Sequence, residues 1–269
     1  MRLQDNNVLR LARVWVSLAK ISIIREMEFR ANFLLGIIRQ FLWLLTFLFS
    51  ISVVFQHTQA LHGWSKGEVI LILALSRLFE GILDIAITPN ISQFPSFVQK
   101  GSFDYIVTKP LPAQLYTAFR TINIYVLGNV MAGIGLLVWV ITSGSIHIEL
   151  QSVPVFIWVS SMGLIIFYSI LVTTASLAFF FERLEALWGL MNLYTEPLTV
   201  PIDIFPRVPR LLFTYIIPIA FIVFVPAQAL VGKVDWHTGV LATGIAIVSL
   251  TIANIAWRTG ISRYTSASS

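Results

Sequence analysis

Three charged residues, Arg77, Glu80 and Asp84, interrupt an otherwise apolar run of the sequence. Their spacings of three and four residues place them on one face of a helix. An unpaired charge near the centre of a bilayer costs about 2.5–3.5 kcal/mol, so these side chains must face other protein or water. The cluster predicts either a translocation pathway or gate, or an Arg77–Glu80 pair that only fixes how helices pack. Glu196 and Arg39 are further candidate members.

The rest of the sequence offers no pattern of catalytic or metal-binding residues. The phosphate-binding pattern G-x-x-x-x-G-K-[ST] is absent, since Gly232-Lys233 is followed by Val and Asp. The chain has no cysteine, and its four histidines lie far apart in predicted loops, where surface positions are favoured over a metal site. We therefore expect no catalytic residue, no metal and no cofactor bound by this chain, and no enzymatic activity of its own.

The composition predicts an integral membrane protein built from helices. Hydrophobic residues make up 57% of the chain and charged residues only 12%, with a mean hydropathy of +0.83. Soluble domains carry about 25% charged residues, so this chain has too few charges to cover a water-facing surface. Its net charge of +5 is interpreted as a signal of membrane orientation and not of nucleic acid binding. Five stretches are long and apolar enough to cross about 30 Å of hydrocarbon: residues 33–55, 69–87, 122–141, 155–181 and 239–257.

Two further stretches, residues 184–200 and 211–231, are ambiguous. The first is short and polar, and the second is broken by Pro218 and Pro226. Lysine and arginine are concentrated before the first span, between spans two and three, and at the C-terminus. This bias places both termini in the cytoplasm and requires an even number of crossings. We predict six spans: the fifth is either 211–231, as the charges favour, or 184–200, which leaves 211–231 as a broken, partly re-entrant external segment.

Residues 1–32 precede the first span and are predicted to form an amphipathic helix along the cytoplasmic membrane surface. Arg10, Arg13 and Lys20 share one face of this helix, and apolar residues such as Leu11 lie on another. The alternative is a helix that packs on a partner protein. Residues 33–269 are predicted to form a single transmembrane domain.

The predicted cytoplasmic loop of residues 90–114 is too apolar to be a plain linker, because its apolar side chains need a surface to cover them. Either the loop folds back on its own chain, or a short helix within it fits a groove on a soluble partner. The residues concerned are Phe94, Phe97, Val98, Phe103, Tyr105, Ile106 and Val107, with Gly101 and Pro110 as breaks.

Two stretches of the sequence resemble one known family, the permease subunits of ABC-2 type transporters. Residues 100–111, KGSFDYIVTKPL, are similar to the family pattern G-[ST]-[LF]-D-x-x-L-x-[KR]-P-L. Residues 201–206, PIDIFP, continuing to Pro218 and Gly232, resemble the run F-P…P…G that precedes the last span of the family. With the leading amphipathic helix, the apolar loop and the six spans, the resemblance covers nearly the whole chain.

The resemblance implies the membrane subunit of an ABC exporter that moves a hydrophobic or amphiphilic compound, such as a drug-like cation or a lipid. It implies location in the plasma membrane, the inner membrane of a bacterium. The implied partners are two copies of an ATPase, which binds the ATP, and a second permease chain in a homodimer or heterodimer. The resemblance also favours the topology in which residues 201–238 form an external re-entrant region. It places a coupling helix that contacts the ATPase at Phe97, Gly101, Phe103, Asp104, Tyr105, Lys109 and Pro110.

A function of a different class stays open on the sequence: an ion-coupled secondary transporter that uses the charged face of span two as a relay. Such carriers are built from inverted repeats with helices broken at matching places in both halves. Here only the late Pro-rich interruption is evident. Co-purification with an ATPase distinguishes the two functions.

Overall fold

The computed structural model describes residues 16–17, 20–22, 24, 30–109, 112–124, 126–181 and 194–264. Every regular element in these ranges is helical. In chain order the α-helices are α1 (Arg30–His57), α2 (Lys66–Gln99), α3 (Asp104–Val107), α4 (Ala113–Phe119), α5 (Leu127–Thr142), α6 (Val153–Ser176), α7 (Arg207–Leu211), α8 (Phe224–Leu230) and α9 (Trp236–Arg263). Short 3-10 or π turns occur at Leu150–Ser152, Leu177–Phe179, Glu196–Thr199, Ile202–Ile204, Leu212–Ile216 and Ile219–Phe221.

Three segments of the described ranges are long and apolar enough to cross a membrane: Leu34–His57, Leu150–Phe179 and Trp236–Arg263. They coincide with the predicted first, fourth and last spans, so the prediction of an all-helical, multi-pass membrane protein is confirmed. A fourth span is present if the bent pair Arg207–Ile216 and Ile219–Leu230 crosses as one unit. The count of six stays a prediction. Residues 1–15 of the predicted amphipathic helix and residues 184–193 of the ambiguous fifth stretch lie outside the described ranges.

The boundary between the second predicted span and the loop of residues 90–114 is wrong. Helix α2 is 34 residues long and ends at Gln99, so the first part of that loop is helical. The helix passes through Pro89, which lacks the N–H that would bond the Ile85 carbonyl. The Asn123 N–H donates to that carbonyl instead, at 2.7 Å, and so removes the main cost of the proline.

The third predicted span, residues 122–141, is wrong at its start. The helix observed there, α5, begins at Leu127 and has 16 residues. At 1.5 Å per residue it covers about 24 Å, which is less than the roughly 30 Å of a hydrocarbon core. Residue 123 is not helical because its backbone bonds across to α2, a long-range contact that hydropathy does not reveal.

Helices α6 and α9 run parallel. Near their starts, Trp158 Nε1 donates to Thr243 Oγ1 at 3.0 Å. Near their ends, the Phe179 ring lies against Gly260, where no side chain fits. Both helices therefore begin at the same end of the bundle, and the chain between them starts at one end and finishes at the other.

We call the two ends of the bundle the Trp64 end (residues 58–65, 143–152 and 231–235) and the Phe103 end (residues 100–109, 180–181 and 264). Five aromatic rings close the Phe103 end, with neighbouring ring centroids between 4.9 and 6.3 Å apart. Phe94 and Phe103 are fully buried among them. This aromatic cluster joins the end of α2 and the following turn to the ends of α6 and α9 through Phe94, Phe103, Phe179, Trp257 and Tyr264.

Polar contacts hold the Trp64 end. Lys233 Nζ lies 2.6 Å from Glu68 Oε1 and 4.2 Å from the centre of the Trp64 ring. Trp64 Nε1 donates to Asp203 Oδ2 at 3.4 Å. Ser152 Oγ donates to the Leu230 carbonyl at 3.0 Å. The contacts tie the start of α2 and the start of α6 to both ends of the segment 203–233.

The segment 203–230 enters and leaves the bundle at the Trp64 end. Its two helical parts are bent by 71° at a break that contains Pro218. The residues at this break border a small cavity of about 140 Å³ together with Ile170 and Thr173, which lie well inside α6. The return half packs closely on α6, since the backbone of Phe221 leaves no room for a side chain at Gly163.

Candidate functional site: two chambers beside Arg77

The middle of α2 carries a buried ion pair. Arg77 Nη2 lies 2.5 Å from Glu80 Oε2, and the two side chains are only 12% and 10% exposed. The predicted Arg77–Glu80 pair is therefore present. The pair leaves two buried atoms, Glu80 Oε1 and Arg77 Nε, without a hydrogen-bond partner among the described residues. A buried polar atom without a partner costs about 1–3 kcal/mol, so these two atoms reduce what the pair contributes to stability.

An aromatic residue of α1 completes the surroundings of Arg77. Its guanidinium carbon lies 4.1 Å from the centre of the Trp43 ring. Trp43 is itself stacked on Phe47, with ring centroids 4.6 Å apart. Attraction between a cation and an aromatic face contributes about 0.5–2 kcal/mol, more where water is excluded. The guanidinium is thus held between a carboxylate and an indole.

Two cavities adjoin this pair, and Arg77 and Trp43 line both. The larger chamber has a volume of about 710 Å³ and the smaller chamber about 400 Å³. The larger chamber is lined by Trp43, Phe47, Arg77, Glu80, Thr195, Glu196, Thr199 and Val200. The smaller chamber is lined by Arg39, Gln40, Trp43, Arg77, Asp84, Thr88, Pro89, Ser92, Asn123, Val126 and Asn129.

The chambers differ in formal charge. Among the described residues, the larger chamber has one cationic side chain, Arg77, and two carboxylates, Glu80 and Glu196. The described lining of the smaller chamber has two cationic side chains, Arg39 and Arg77, and one carboxylate, Asp84. The five charged residues selected from the sequence therefore come together, but around two separate cavities. Inside a low-dielectric bundle such chambers attract ligands of opposite sign.

The sequence reasoning missed the aromatic and amide walls of these chambers. Trp43 and Phe47 lie four residues apart on one face of α1, and this spacing was the only signal in the sequence that could have marked them. Asn123 and Asn129 were detectable as amides within a predicted span, where polar side chains are costly.

The predicted coupling residues lie at the Phe103 end. Gly101 adopts a φ of 68°, a left-handed conformation that reverses the chain after α2. The next aromatic residue, Phe103, is fully buried against its own chain, whereas Tyr105 and Val107 are 64% and 50% exposed. The segment therefore folds back on its own chain through Phe103, and docking of a soluble partner on the exposed side chains stays a prediction. Phe103 anchors this segment and offers no surface to a partner.

The other four predicted coupling residues are Phe97, Asp104, Lys109 and Pro110. Lys109 Nζ bonds the Tyr105 hydroxyl at 2.6 Å and lies 3.9 Å from its ring centre. The hydrogen bond with Tyr105 raises the pKa of Lys109 above its ordinary value, so the side chain stays cationic. The guanidinium of Arg120 covers the ring of half-buried Phe97 at 4.1 Å. Pro110 lies outside the described ranges, and Asp104 begins α3.

No group of three or more acidic or histidine side chains able to hold a metal ion occurs within the described ranges.

A family model described as "ABC-2 family transporter protein" matches residues 41–268. The match covers the lining of the larger chamber, the segment at the Phe103 end, and the lining of the smaller chamber except Arg39 and Gln40. No curated protein and no solved structure matches this chain.

Proposed function

Because the chain belongs to the ABC-2 transporter family, we propose that it is the permease subunit of an ATP-driven exporter. The substrate is a hydrophobic or amphiphilic compound, either a drug-like cation or a lipid. Two copies of a separate ATPase bind and hydrolyse ATP, and a second permease chain, identical or related, completes the membrane part. The complex resides in the plasma membrane, which is the inner membrane of a bacterium.

The observation that carries this proposal is the continuity of α2 between the chambers and the Phe103 end. Glu80 lies in the middle of the helix, which continues through Pro89 and Pro95 to Gln99. The distance along the helix is about 28 Å at 1.5 Å per residue. The buried rings of Phe94 and Phe103 then fix α3 and the exposed Tyr105 to the end of the same helix. A force applied at Tyr105 is therefore transmitted to the chamber walls.

The topology that we propose has six spans, both termini in the cytoplasm, and residues 201–238 as an external re-entrant region. Contacts of Asp203 and Leu230 at the Trp64 end support it, as does the bend near Pro218 deep beside α6. The parallel course of α6 and α9 supports one further crossing between them, which falls on residues 184–200. The Phe103 end then faces the ATPase in the cytoplasm.

The alternative of an ion-coupled secondary transporter requires transport without an ATPase. Family membership favours the ATP-driven function, because an ABC-2 permease works with an ABC ATPase. Transport by the chain reconstituted alone, driven by an ion gradient, would favour the alternative.

The coupling test compares two tyrosines of similar exposure, Tyr105 and Tyr215. Tyr105→Ala is expected to lower ATP-driven transport and ATPase stimulation about five- to tenfold, as loss of an aromatic contact at an interface does. Tyr215→Ala is the control, since Tyr215 is 69% exposed but lies in the re-entrant region. Charge reversal by Asp104→Lys is expected to act in the same direction as Tyr105→Ala.

All three variants are purified with the ATPase that accompanies the wild-type chain, and their insertion is checked by yield and gel filtration. If Tyr105→Ala and Asp104→Lys transport and couple like the wild type, the segment of residues 100–109 is not the coupling element.

A further inference from the structure

The guanidinium of Arg77 occupies the kind of site in which proteins bind organic cations. It lies against a carboxylate, at 2.5 Å from Glu80 Oε2, and over the face of Trp43, at 4.1 Å from the ring centre. A carboxylate combined with an aromatic face is how quaternary and protonated amines are recognised. We infer that the larger chamber binds an organic cation, and that the cation takes the place of Arg77 against Glu80 and Trp43.

The size of the larger chamber selects an organic molecule over a bare metal ion. Its volume of about 710 Å³ falls within the roughly 300–1,000 Å³ of pockets that hold drug-sized ligands. Phe47 and Val200 add apolar wall to the aromatic face. The ligand is therefore an amphiphilic cation with an apolar body, and the inference narrows the substrate class of the proposed exporter, on which it rests.

The charge of the larger chamber favours a single positive charge. With Arg77 in place the described lining residues carry a formal charge of −1, because there are two carboxylates, Glu80 and Glu196, and one cation. A monovalent cation brings the chamber to neutrality, which low-dielectric surroundings favour. Glu80 Oε1, buried and without a partner among the described residues, supplies a free acceptor for this cation.

The displaced guanidinium has a second carboxylate within its own surroundings. Arg77 also borders the smaller chamber, and Asp84 lies there two turns further along the same face of α2. Movement of Arg77 toward Asp84 leaves Glu80 to the ligand and keeps the guanidinium paired. When the cation enters the larger chamber, the positive charge of Arg77 therefore moves into the smaller one.

The test measures equilibrium binding of tetraphenylphosphonium to the full chain with its partner subunits in lipid nanodiscs, without ATP. Tetraphenylborate, an anion of the same shape, is the matched probe. Arg77→Gln removes the internal competitor and is expected to tighten cation binding about tenfold, whereas Glu80→Gln is expected to weaken it by at least tenfold, as loss of a charged partner does. Glu149→Gln is the matched control, because Glu149 lies in neither chamber.

Weaker or unchanged cation binding in folded Arg77→Gln overturns the displacement of Arg77. Should that variant fail to fold, Trp43→Leu decides: cation binding several-fold weaker supports the inference, and unchanged binding overturns it. Equal affinity for tetraphenylborate overturns the charge selectivity. Because binding is measured without ATP, loss of ATP-driven transport with intact cation binding counts against the proposed exporter alone. ATP-driven export of a neutral lipid without any cation binding overturns this inference alone.

Discussion

The two ends of the bundle are held together by different forces. Five aromatic rings close the Phe103 end, and Phe94 and Phe103 have no exposed surface. At the Trp64 end an ion pair, Lys233–Glu68, and hydrogen bonds to Asp203 and Leu230 add to the contact of the buried Trp64 ring with Phe224. Burial of aromatic surface is non-directional and insensitive to charge, whereas ion pairs are weakened by salt and pH. The comparison indicates that salt and pH affect the stability of the Trp64 end more than that of the Phe103 end.

The largest effect is expected for membrane sidedness, because the proposed topology puts the Trp64 end outside the cell and the Phe103 end in the cytoplasm. The chain has no cysteine, so single cysteines report accessibility without background. In intact cells an impermeant maleimide is expected to label Gln59→Cys fully, and Ser102→Cys only after permeabilisation. A cysteine at Val208, which is 77% exposed, reports on which side of the membrane the segment before residue 211 lies. External labelling of Val208→Cys supports the re-entrant region, whereas internal labelling would make residues 211–231 the fifth span.

The next largest effect tests the aromatic cluster. Phe103→Ala is expected to lower the free energy of unfolding by about 3–5 kcal/mol, because it removes a fully buried ring among four others. Tyr105→Ala, two residues away and 64% exposed, is expected to change stability by no more than about 0.5 kcal/mol. Denaturant titration in detergent micelles measures both. Equal losses of unfolding free energy for the two variants would contradict the role of Phe103 as the buried anchor of this end.

The smallest effect concerns the ion pair at the Trp64 end. Lys233→Met is expected to cost about 1 kcal/mol of stability, since it removes the partner of Glu68 and a cation over Trp64. Burial raises the pKa of the Glu68 carboxyl, but the hydrogen bond and charge of Lys233 and the hydrogen bonds with Ser65 outweigh it, so the pKa lies below the ordinary value of 4.5.

The sign of the pH effect follows from that lowered pKa. A carboxyl with a lowered pKa stabilises the fold fully above its ordinary value, and the contribution is lost as the pH falls through the lowered pKa. The wild type is therefore expected to lose stability below about pH 4.5 more steeply than Lys233→Met does. Lys66→Met, at the same end of the bundle, is the matched control. If the stability of the wild type and of Lys233→Met falls identically with pH, the Lys233–Glu68 pair does not stabilise the Trp64 end.

Local patterns of the sequence predicted part of the candidate site. The spacing of Arg77, Glu80 and Asp84 is a helical periodicity, and it identified one charged face without knowledge of the fold. The same spacing did not separate Glu80 from Asp84, which line different chambers. That division depends on which residues of other segments, such as Trp43, approach each carboxylate.

The errors in the fold have the same origin. Hydropathy placed the start of the third span at residue 122 and the end of the second at residue 87. In the structure the Asn123 N–H bonds the Ile85 carbonyl that Pro89 leaves free. Hydropathy depends on neighbouring residues, whereas this hydrogen bond joins residues of different segments.

The sequence by itself determined that this protein crosses a membrane, that it belongs to a transporter family, and that α2 carries charges on one face. Those properties follow from composition, motifs and spacings, which are fixed along the chain. Only the tertiary structure decided that Phe103 is an anchor and Tyr105 a surface, and that Arg77 lies between Glu80 and Trp43. These choices depend on burial and on contacts between distant segments, and such contacts exist only after the helices have packed.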